Sequence, residues 1–367
     1  MKNLVESMDW SKIHASDRFT PVTPLLAVCS LLYSAGVRLY HLAWRFRTRQ
    51  ALPGFTVSVG NLTVGGTGKT PATCLLAKWA RDEGFEVAVL SRGYGGSHEN
   101  NVLEVSDGDG IRAGPDEAGD EPYLMARRLK GVPVIVSRNR YDAGMLAHEK
   151  YGTNCFILDD GFQHIALERD LDLVLMDAAR PLGNGFLLPR GPLREPEGYL
   201  KRAHAFVLTR CSGEGGAAEA EAMLGREFPG KPVFRSDHVP GKIIFPNRDN
   251  DEEPGFLQGK RVAAFAGIAR PEVFQETLKG LGAEVVYFKG FKDHHFFTNS
   301  ELKDLVTRKE SSKADCLLTT EKDWVRLESI AGNVPELGYL TVEFVLSDRD
   351  AFFGLVKARM EVGKGNR

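Results

Sequence analysis

Short hydrophobic runs alternate with longer amphipathic stretches along most of the chain after residue 50. The runs are rich in Val, Ile, Leu and Phe, and they are separated by stretches typical of helices. The pattern predicts strands at 55–59, 86–90, 132–136, 155–158, 173–176 and 205–208, and helices at 70–83, 117–129 and 141–150. Because continuous apolar strands separated by helices are typical of a mostly parallel sheet covered on both faces, the predicted fold class is α/β.

A second alternating segment follows a change in composition near residue 236. Residues 236–258 are polar and rich in proline, which is typical of a linker. Strand-like runs return at 261–266, 285–288, 316–318 and 340–345. A chain of 367 residues also exceeds the size at which a single core keeps growing. We therefore predict an N-terminal membrane-associating helix region at 1–50, a larger domain at 51–235, a linker at 236–258, a smaller α/β domain at 259–346 and a C-terminal helix or tail at 347–367.

The N-terminal region is set apart by an apolar run at 22–37, which is shorter than the roughly 20 residues that a bilayer span needs. Basic and aromatic side chains follow it, namely Arg38, Arg45, Arg47 and Arg49 with Tyr40, Trp44 and Phe46. Three alternatives fit this pattern: a tilted span, a helix lying in the membrane interface, and a buried first helix. Cations and aromatic rings after an apolar run favour membrane contact, with the following domain on the cytoplasmic side. No small-x-small cleavage site follows the run, so a cleaved signal peptide is not predicted.

Composition narrows the class of protein. With 43% hydrophobic and 26% charged residues the chain is typical of a globular enzyme and not of a disordered protein. A net charge of -2, without an extended basic face, argues against nucleic acid as the main partner. The five cysteines form no C-x-x-C pair, so a structural zinc site is not predicted and a reduced compartment fits.

A glycine-rich segment between a predicted strand and a predicted helix carries the clearest chemical signal. It comprises Thr63, Val64, Gly65, Gly66, Thr67, Gly68, Lys69 and Thr70. This context is typical of a P-loop, in which backbone N–H groups cradle phosphates, the Lys reaches the β- and γ-phosphates and the Thr hydroxyl faces Mg²⁺. Position 63 holds Thr where the general motif has Gly. The alternative is a glycine-rich turn without a ligand, but the context favours a nucleotide-phosphate site in a P-loop domain.

Acidic residues at strand ends are candidates for the metal that accompanies a nucleotide. Asp159 and Asp160 follow the apolar run at 155–158, and Asp177 follows the one at 173–176. An Asp in such a place holds Mg²⁺ opposite the P-loop Thr in many P-loop enzymes. We prefer the doublet over Asp177, because Gly161 and further polar side chains follow it at the carboxyl end of a predicted strand, where ligand sites of α/β proteins lie.

Further polar motifs are compatible with either a site or a solvated surface. Asp120 and Glu121 begin a predicted helix, where acidic residues also complement the helix dipole. His294 lies in a Lys-Asp-His-His run, and histidine is the side-chain type suited to proton transfer near neutral pH. Candidate substrate-binding side chains are Arg138, Gln163, His164, Arg194 and Glu195. A rigid arginine in a Pro/Gly-rich loop suits phosphate recognition, although a surface turn fits that spacing equally well.

In combination, these motifs resemble the tetraacyldisaccharide 4'-kinase family, the lipid A 4'-kinases of Gram-negative bacteria. The resemblance rests on residues 58–71 (SVGNLTVGGTGKTP), 90–95 (LSRGYG), 119–122 (GDEP), 158–164 (LDDGFQH), 192–196 (PLREP), 293–295 (DHH) and 320–323 (TEKD). It extends over roughly residues 20–345. The Thr at position 63 is similar to the family's own version of the loop, so it does not weaken the match.

The resemblance implies transfer of the γ-phosphoryl group of ATP, with Mg²⁺, to the 4'-hydroxyl of a tetraacyl glucosamine disaccharide 1-phosphate, giving lipid IVA. It implies a protein at the cytoplasmic face of the inner membrane, peripheral or single-pass. By the family motif, Asp120 matches the base that activates the sugar hydroxyl and His294 matches its partner across a domain cleft. Asp159 and Asp160 match the pair that handles the metal.

Other classes of protein remain as alternatives. A membrane-associated P-loop ATPase acting as a switch or assembly factor would hydrolyse ATP without a lipid acceptor. A GTPase is disfavoured, because the chain contains no Asn-Lys dipeptide and therefore no guanine-binding motif. A third hypothesis treats the second domain as a protein-binding module, which nothing in its sequence supports. The sequence identifies no protein partner.

Overall fold

The computed structural model of the chain describes residues 14, 21–97, 102–213, 216–248, 251–332 and 334–365. Predictions for 1–13 and 15–20 in the N-terminal region, for 249–250 in the linker and for 366–367 at the C terminus lie outside these residues. The described helices are α1 (Thr23–Trp44), α2 (Lys69–Asp82), α3 (Pro115–Ala118), α4 (Asp120–Arg128), α5 (Arg140–Tyr151), α6 (Ala217–Glu227), α7 (Pro271–Gly280), α8 (Asn299–Ser311), α9 (Glu321–Ala331) and α10 (Arg349–Gly365). The strands are β1 (Phe55–Asn61), β2 (Val87–Ser91), β3 (Leu103–Ser106), β4 (Val134–Val136), β5 (Cys155–Asp159), β6 (Leu171–Asp177), β7 (Ala205–Thr209), β8 (Val233–Ile244), β9 (Arg261–Ala266), β10 (Glu284–Gly290), β11 (Cys316–Thr320) and β12 (Leu337–Leu346).

The twelve described strands form one sheet in the order β10-β9-β11-β12-β8-β7-β6-β1-β5-β2-β4-β3. Neighbouring strands run parallel, except for the antiparallel pairs β8–β12 and β3–β4. The predicted α/β class is confirmed, and each strand predicted from an apolar run is present with its ends shifted by a few residues. β1 lies between β5 and β6, so the loop that follows β1 is flanked by the ends of both strands.

The sheet has two halves joined by β8: the first, or P-loop, half contains β1 to β7, and the second contains β9 to β12. The first half has a core on each face. Successive side chains of a strand point to opposite faces, so one strand contributes to both cores. In β5, Ile157 belongs to the hydrophobic cluster that includes α2, whereas Phe156 and Leu158 belong to the cluster that includes Ala143 and Ala147 of α5. Burial of this strand on both sides explains its continuous apolar sequence.

The C-terminal helix packs against the P-loop half of the sheet. Phe353 of α10 stacks on Trp79 of α2 with ring centroids 4.5 Å apart, and Val356 and Met360 join the same buried cluster. The predicted C-terminal helix at 347–367 therefore covers the larger half, although it follows the smaller one in sequence. The division into separate domains stays a prediction.

The first residues of the predicted linker, up to Ile244, belong to the strand β8. This strand pairs parallel with β7 near Val233 and antiparallel with β12 from Ser236 onwards, so it joins the two halves of the sheet. Its side chains are only partly buried, which explains the polar composition. Pro240 lies where the pairing register with β12 shifts, a position at which a strand tolerates proline.

Helix α1 is mostly exposed, so the alternative of a buried first helix is wrong. Only Leu26 and Ser30 of this helix are buried. Arg38 is exposed, and the large apolar side chains that are exposed on this helix are Leu25, Val28, Leu31, Leu32, Leu39, Tyr40 and Leu42. Among the described residues, α1 is the one helix long and apolar enough to cross a membrane by length and composition.

Candidate active site

The glycine-rich loop begins where β1 ends, at the carboxyl edge of the sheet. Gly65 and Gly68 have φ angles of 114° and 80°, in the left-handed region that glycine tolerates best. A Cβ atom at Gly68 would lie 2.0 Å from Nε2 of His238 on β8, so only glycine fits there. Gly68 directly precedes α2, and the N–H groups of the loop and of the first helical turn therefore form an anion-binding nest.

Hydrogen bonds from Asn61 and Arg210 fix the conformation of the loop. Asn61, at the end of β1, donates from Nδ2 to the Thr63 carbonyl at 2.6 Å and to Oγ1 of Thr67 at 3.0 Å. Arg210, which follows β7, donates from Nη2 to the Gly66 carbonyl at 2.5 Å. Fixed carbonyls turn the remaining N–H groups toward the place where phosphate binds.

The start of α2 places Lys69 and Thr70 beside the loop, as the motif predicts. Nζ of Lys69 lies 3.7 Å from Oδ1 of Asp160. Arg194 donates from Nη1 to both oxygens of Asp160, at 2.9 and 2.7 Å. Burial opposes ionisation of Asp160, but the positive charges of Lys69 and Arg194 outweigh it and lower the pKa of the carboxyl. The structure thus brings these four predicted side chains to one place.

The Pro-Leu-Arg-Glu-Pro loop connects the phosphate loop with α1. The Val64 N–H donates to the Pro192 carbonyl at 2.8 Å, which fastens the two loops together. Arg194 then points toward Asp160, whereas the next residue, Glu195, is buried and lies 2.8 Å from Nε2 of His41 on α1. Neighbouring residues of one motif therefore face different parts of the molecule.

Asp159 is only 2% exposed at the end of β5. Its carboxylate accepts hydrogen bonds from the hydroxyls of Thr73 and Ser91, each at 3.3 Å. Burial, and then the negative charges of Glu121 and Asp160, raise the pKa of Asp159 to about 7. The effect of Glu121 also places the start of α4 close to this edge of the phosphate site.

The side chains around Asp159 suit a hard divalent cation. The Thr70 hydroxyl, Asp159 and Asp160 offer oxygen atoms, which Mg²⁺ prefers. A cation would offset the burial and repulsion that raise the pKa of Asp159. In the part of the chain that the structure describes, no group of three or more His, Cys, Asp or Glu side chains could hold a metal. In proteins Mg²⁺ typically uses one or two carboxylates and completes its coordination with water and nucleotide phosphates.

Asp177, the rival metal candidate, lies on the other side of β1. It ends β6, whereas Asp159 ends β5, and these strands flank β1 on opposite sides. Asp177 forms an ion pair with Arg210, whose other nitrogen contacts the Gly66 carbonyl. Its position suits support of the loop.

Asp120 and His294 meet although they are 174 residues apart in sequence. Nδ1 of His294 lies 3.2 Å from Oδ2 of Asp120. Asp120 begins α4 in the first half of the sheet, and His294 follows β10 in the second half with a φ of 59°. A non-glycine residue in this left-handed region is uncommon and is often found at functional sites.

A third residue at this place, Arg326 of α9, was not predicted. It donates to Oδ2 of Asp120 from Nε at 2.9 Å and from Nη2 at 2.5 Å. Burial alone would raise the pKa of Asp120, but His294 and Arg326 outweigh it and lower this pKa to about 2. The nearest sequence signal is the TEKD motif at 320–323, which begins the same helix but says nothing about a residue one turn later.

The remaining candidates are Gln163, His164 and Arg138. Gln163 donates from Nε2 to the Asn61 carbonyl at 2.9 Å, next to the phosphate loop. His164 is mostly buried, and burial together with Arg140 and other nearby guanidinium groups lowers its pKa to about 3, so it is a neutral imidazole. Arg138 lies exposed between β4 and α5. Contact of these side chains with a substrate stays a prediction.

A P-loop at the carboxyl edge of a mostly parallel sheet, with a strand-end aspartate beside it, defines a P-loop nucleotide-binding protein. The profile of the family described as "Tetraacyldisaccharide-1-P 4'-kinase" (LpxK) matches residues 22–361. The chain belongs to this family.

Individual relatives agree with the family match. The chain is 42% identical to the tetraacyldisaccharide 4'-kinase of Syntrophus aciditrophicus (strain SB), over 94% of this chain and 95% of the relative. It is 43% identical to the enzyme of the same name from Geobacter metallireducens, over 89% and 95%. A crystal structure of LpxK from Aquifex aeolicus in complex with ATP has a TM-score of 0.75 and 32% identity, and covers 92% of this chain and 99% of that chain.

Proposed function

We propose that this protein transfers the γ-phosphoryl group of ATP to the 4'-hydroxyl of a tetraacyl glucosamine disaccharide 1-phosphate, giving lipid IVA in lipid A biosynthesis. Family membership and the similarly named relatives support the substrate. The observation that carries the proposal is the hydrogen bond between Asp120 and His294 from opposite halves of the sheet. Such a pair suits activation of an acceptor hydroxyl.

The phosphate loop neutralises and positions the nucleotide. The N–H groups around Gly65–Thr70 and the Lys69 ammonium face the phosphates, where they stabilise the charge that shifts toward the leaving group during transfer. Arg194, which pairs with Asp160 in the structure, adds a guanidinium at the same edge. Most of the rate enhancement in this class of reaction comes from such positioning and electrostatics.

Asp120 is the proposed proton acceptor for the sugar hydroxyl. Its low pKa keeps it ionised across the physiological range. A weak base is sufficient here, because the attacking hydroxyl loses its proton late in a loose phosphoryl-transfer transition state. His294 orients the carboxylate from the other half of the sheet.

Mg²⁺, when bound, supplies further charge neutralisation at the β- and γ-phosphates. Thr70, Asp159 and Asp160 are the side chains that would hold it. Of the two carboxylates, Asp159 contacts only hydroxyl groups and Asp160 is already paired with Arg194, so Asp159 is the freer ligand.

Asp159 and Asp160 should control metal dependence, whereas Asp177 should not. In Asp159→Asn and Asp160→Asn we expect the Mg²⁺ concentration for half-maximal activity to rise about 10- to 100-fold, because an oxygen ligand or its orienting partner is lost. Asp177→Asn is the matched control, since it removes a strand-end carboxylate on the other side of β1. Activity is titrated against Mg²⁺ at saturating ATP. A larger metal defect in the Asp177 variant would reverse the assignment.

We propose that α1 lies along the cytoplasmic surface of the inner membrane. Its Ser30 and Tyr33 hydroxyls each donate to a carbonyl of the 187–194 loop at 2.8 Å, and His41 contacts Glu195. These contacts extend over about 16 Å of helix at 1.5 Å per residue, so one face stays on the protein along about half of its length. The opposite, apolar face is then available to lipid, which suits an interfacial helix more than a span.

Removing residues 1 to about 46 should weaken membrane association and turnover of the lipid more than ATP binding, because the exposed apolar face lies outside the phosphate site. A sharper variant is Leu31→Glu/Leu32→Glu, which charges that face and keeps the contacts of Ser30 and Tyr33. Val273→Glu, on the exposed surface of α7, is the control. The measurement is flotation with liposomes that contain anionic lipid. Unchanged flotation of the Leu31/Leu32 variant would show that the membrane surface lies elsewhere.

The proposed reaction is tested by incubating the purified protein with γ-labelled ATP and the disaccharide lipid in mixed micelles. We expect label in the lipid and ATP consumption that depends on the acceptor. A switch ATPase would release labelled inorganic phosphate at the same rate with and without the lipid. That result would refute the kinase proposal.

A further inference from the structure

The guanidinium of Arg326 contacts both Asp120 and His294. The Arg326 side chain is only 2% exposed. We propose that Arg326 is a positioning residue for the phosphoryl transfer, fixing the orientation of the Asp120 carboxylate and selecting the hydrogen-bonding state of His294. This inference rests on the proposed function, because it assigns Arg326 a part in that reaction.

Arg326 ties down one oxygen of Asp120. The contacts from its Nε and Nη2, and the contact from His294, all fall on Oδ2. Within the described residues, no hydrogen-bond partner contacts Oδ1. A carboxylate that is hydrogen-bonded at one oxygen to a planar guanidinium cannot rotate freely. The other oxygen, Oδ1, therefore keeps a fixed direction in which to accept a proton.

The same guanidinium competes for Nδ1 of His294. Nη2 of Arg326 lies 2.9 Å from Nδ1, and Oδ2 of Asp120 lies 3.2 Å from it. Guanidinium nitrogens only donate, so Nδ1 accepts from Arg326 only when it carries no proton. It donates to Asp120 only when it does. The two hydrogen bonds are mutually exclusive. Because Arg326 holds the ionised Oδ2 of Asp120 as an acceptor beside Nδ1, it selects the imidazole with its proton on Nδ1, which donates to Asp120.

The second half of the sheet holds Arg326 in place. Nη1 lies 3.5 Å from the Gly267 carbonyl and 3.5 Å from Oδ1 of Asp323, one turn earlier on α9. Asp323 is completely buried and accepts from the Thr320 hydroxyl at 2.6 Å and from the Gly267 N–H at 3.0 Å. The TEKD motif therefore has a structural role: Thr320 fixes the Asp323 carboxylate, and Asp323 holds the Arg326 guanidinium in position.

Removing the guanidinium changes the balance of forces on Asp120. The charged groups that face its carboxylate are Arg326 from α9 and His294 from the loop after β10, and its own helix continues with Glu121. Burial favours the protonated carboxyl, so without Arg326 the pKa of Asp120 should rise. Because the base must be ionised, activity should then fall at a higher pH on the acidic side than in the wild type.

The test compares three variants. Arg326→Gln removes the charge, and Arg326→Lys keeps the charge but lacks the planar fork. Glu328→Gln is the matched control: Glu328 lies on the same helix and joins it to α4 through Tyr123 at 2.8 Å and through Arg127, but it contacts neither Asp120 nor His294. Each variant is measured for kcat, for the KM of ATP and for the pH dependence of kcat/KM.

In Arg326→Gln we expect kcat to fall about 100-fold, which is the cost typical of a displaced catalytic group. We also expect the acidic limb of the pH profile of kcat/KM to move to higher pH. In Arg326→Lys we expect a smaller loss of kcat with the limb near its wild-type position. The KM of ATP should stay unchanged in both, and Glu328→Gln should match the wild type. If Arg326→Gln fails to fold, the proposal is tested by comparing kcat and the pH profile of Arg326→Lys with those of Glu328→Gln. Wild-type kcat and pH profile in the Arg326 variants would overturn the proposal.

A spectroscopic measurement separates this inference from the proposed reaction. Ring ¹⁵N shifts of His294, assigned with His294→Gln in protein carrying labelled histidine, report which nitrogen is protonated without any substrate. We expect a protonated Nδ1 in the wild type, where it donates to the fixed Oδ2 of Asp120, and a mixture of both ring tautomers in Arg326→Gln, where the carboxylate is free to turn. An unchanged ring would overturn the selection of His294 by Arg326. A wild-type protein that shows the expected ring state but phosphorylates no lipid would instead overturn the proposed function, and with it the reaction assigned to Arg326.

Discussion

Lys69→Ala is expected to lower kcat by about 1,000-fold or more, a loss comparable to removing a strong preorganised donor from a transition state. The Lys69 ammonium is held at the start of α2, with its neighbour Asp160 3.7 Å away, and the loop before it directs N–H groups to the same place. Alanine leaves the γ-phosphate charge without its nearest cation. Steady-state transfer to the lipid measures the effect. Lys78→Ala, on the same helix but away from the loop, is the control and should stay near wild type. A Lys69 variant with near-normal kcat would contradict the phosphate-loop hypothesis.

Thr70 allows a finer version of the same experiment. Thr70→Ala removes the hydroxyl proposed to face the metal, and most of the transfer rate should be lost. Thr70→Ser keeps the hydroxyl and should recover most of the activity. Because Thr70 is buried, the loss in Thr70→Ala could reflect packing alone, and the serine variant distinguishes the two causes. Equal activity in both variants would show that the hydroxyl has no part in the reaction.

The P-loop half of the fold could be predicted in detail, because its determinants are local in sequence. β1 is buried along its whole length and contains Phe55, Val57 and Val59, and Gly68 with Lys69 and Thr70 marks the start of the next helix. Parallel strands end at one edge, so the convergence of Asp160 with Lys69 follows from strand order and motif together. The same edge brings Arg194 close through a loop contact that the sequence does not specify.

Other features depend on contacts that sequence patterns do not encode. β8 has half-exposed side chains and a proline, so its composition is that of a linker although it joins the halves of the sheet. Arg326 lies on a helix whose sequence suits any exposed amphipathic segment, yet it is buried against Asp120, 206 residues away. Only the folded chain brings these residues together. The pairing of His294 with Asp120 was expected from the family resemblance, and its geometry became visible only in three dimensions.

The contact between Asp120 and His294 predicts how the losses of kcat in their single and double variants combine. Asp120 and His294 come from opposite halves of the sheet and contact each other. In the proposed mechanism the carboxylate accepts the proton and the imidazole orients the carboxylate. Residues that act as one unit give non-additive losses, because the first substitution already removes what the second would remove. Independent residues give losses that multiply.

Asp120→Ala should therefore lower kcat about 100- to 10,000-fold, the range typical of a lost general base. His294→Ala should lower it by a smaller factor, and the double variant Asp120→Ala/His294→Ala should be little worse than Asp120→Ala alone. The KM of ATP should change less than kcat, because the pair activates the sugar hydroxyl and does not bind the nucleotide. Steady-state kinetics of the wild type, both single variants and the double variant form a closed cycle. Multiplicative losses would show that the two residues act independently, and their assignment as a catalytic pair would have to be abandoned.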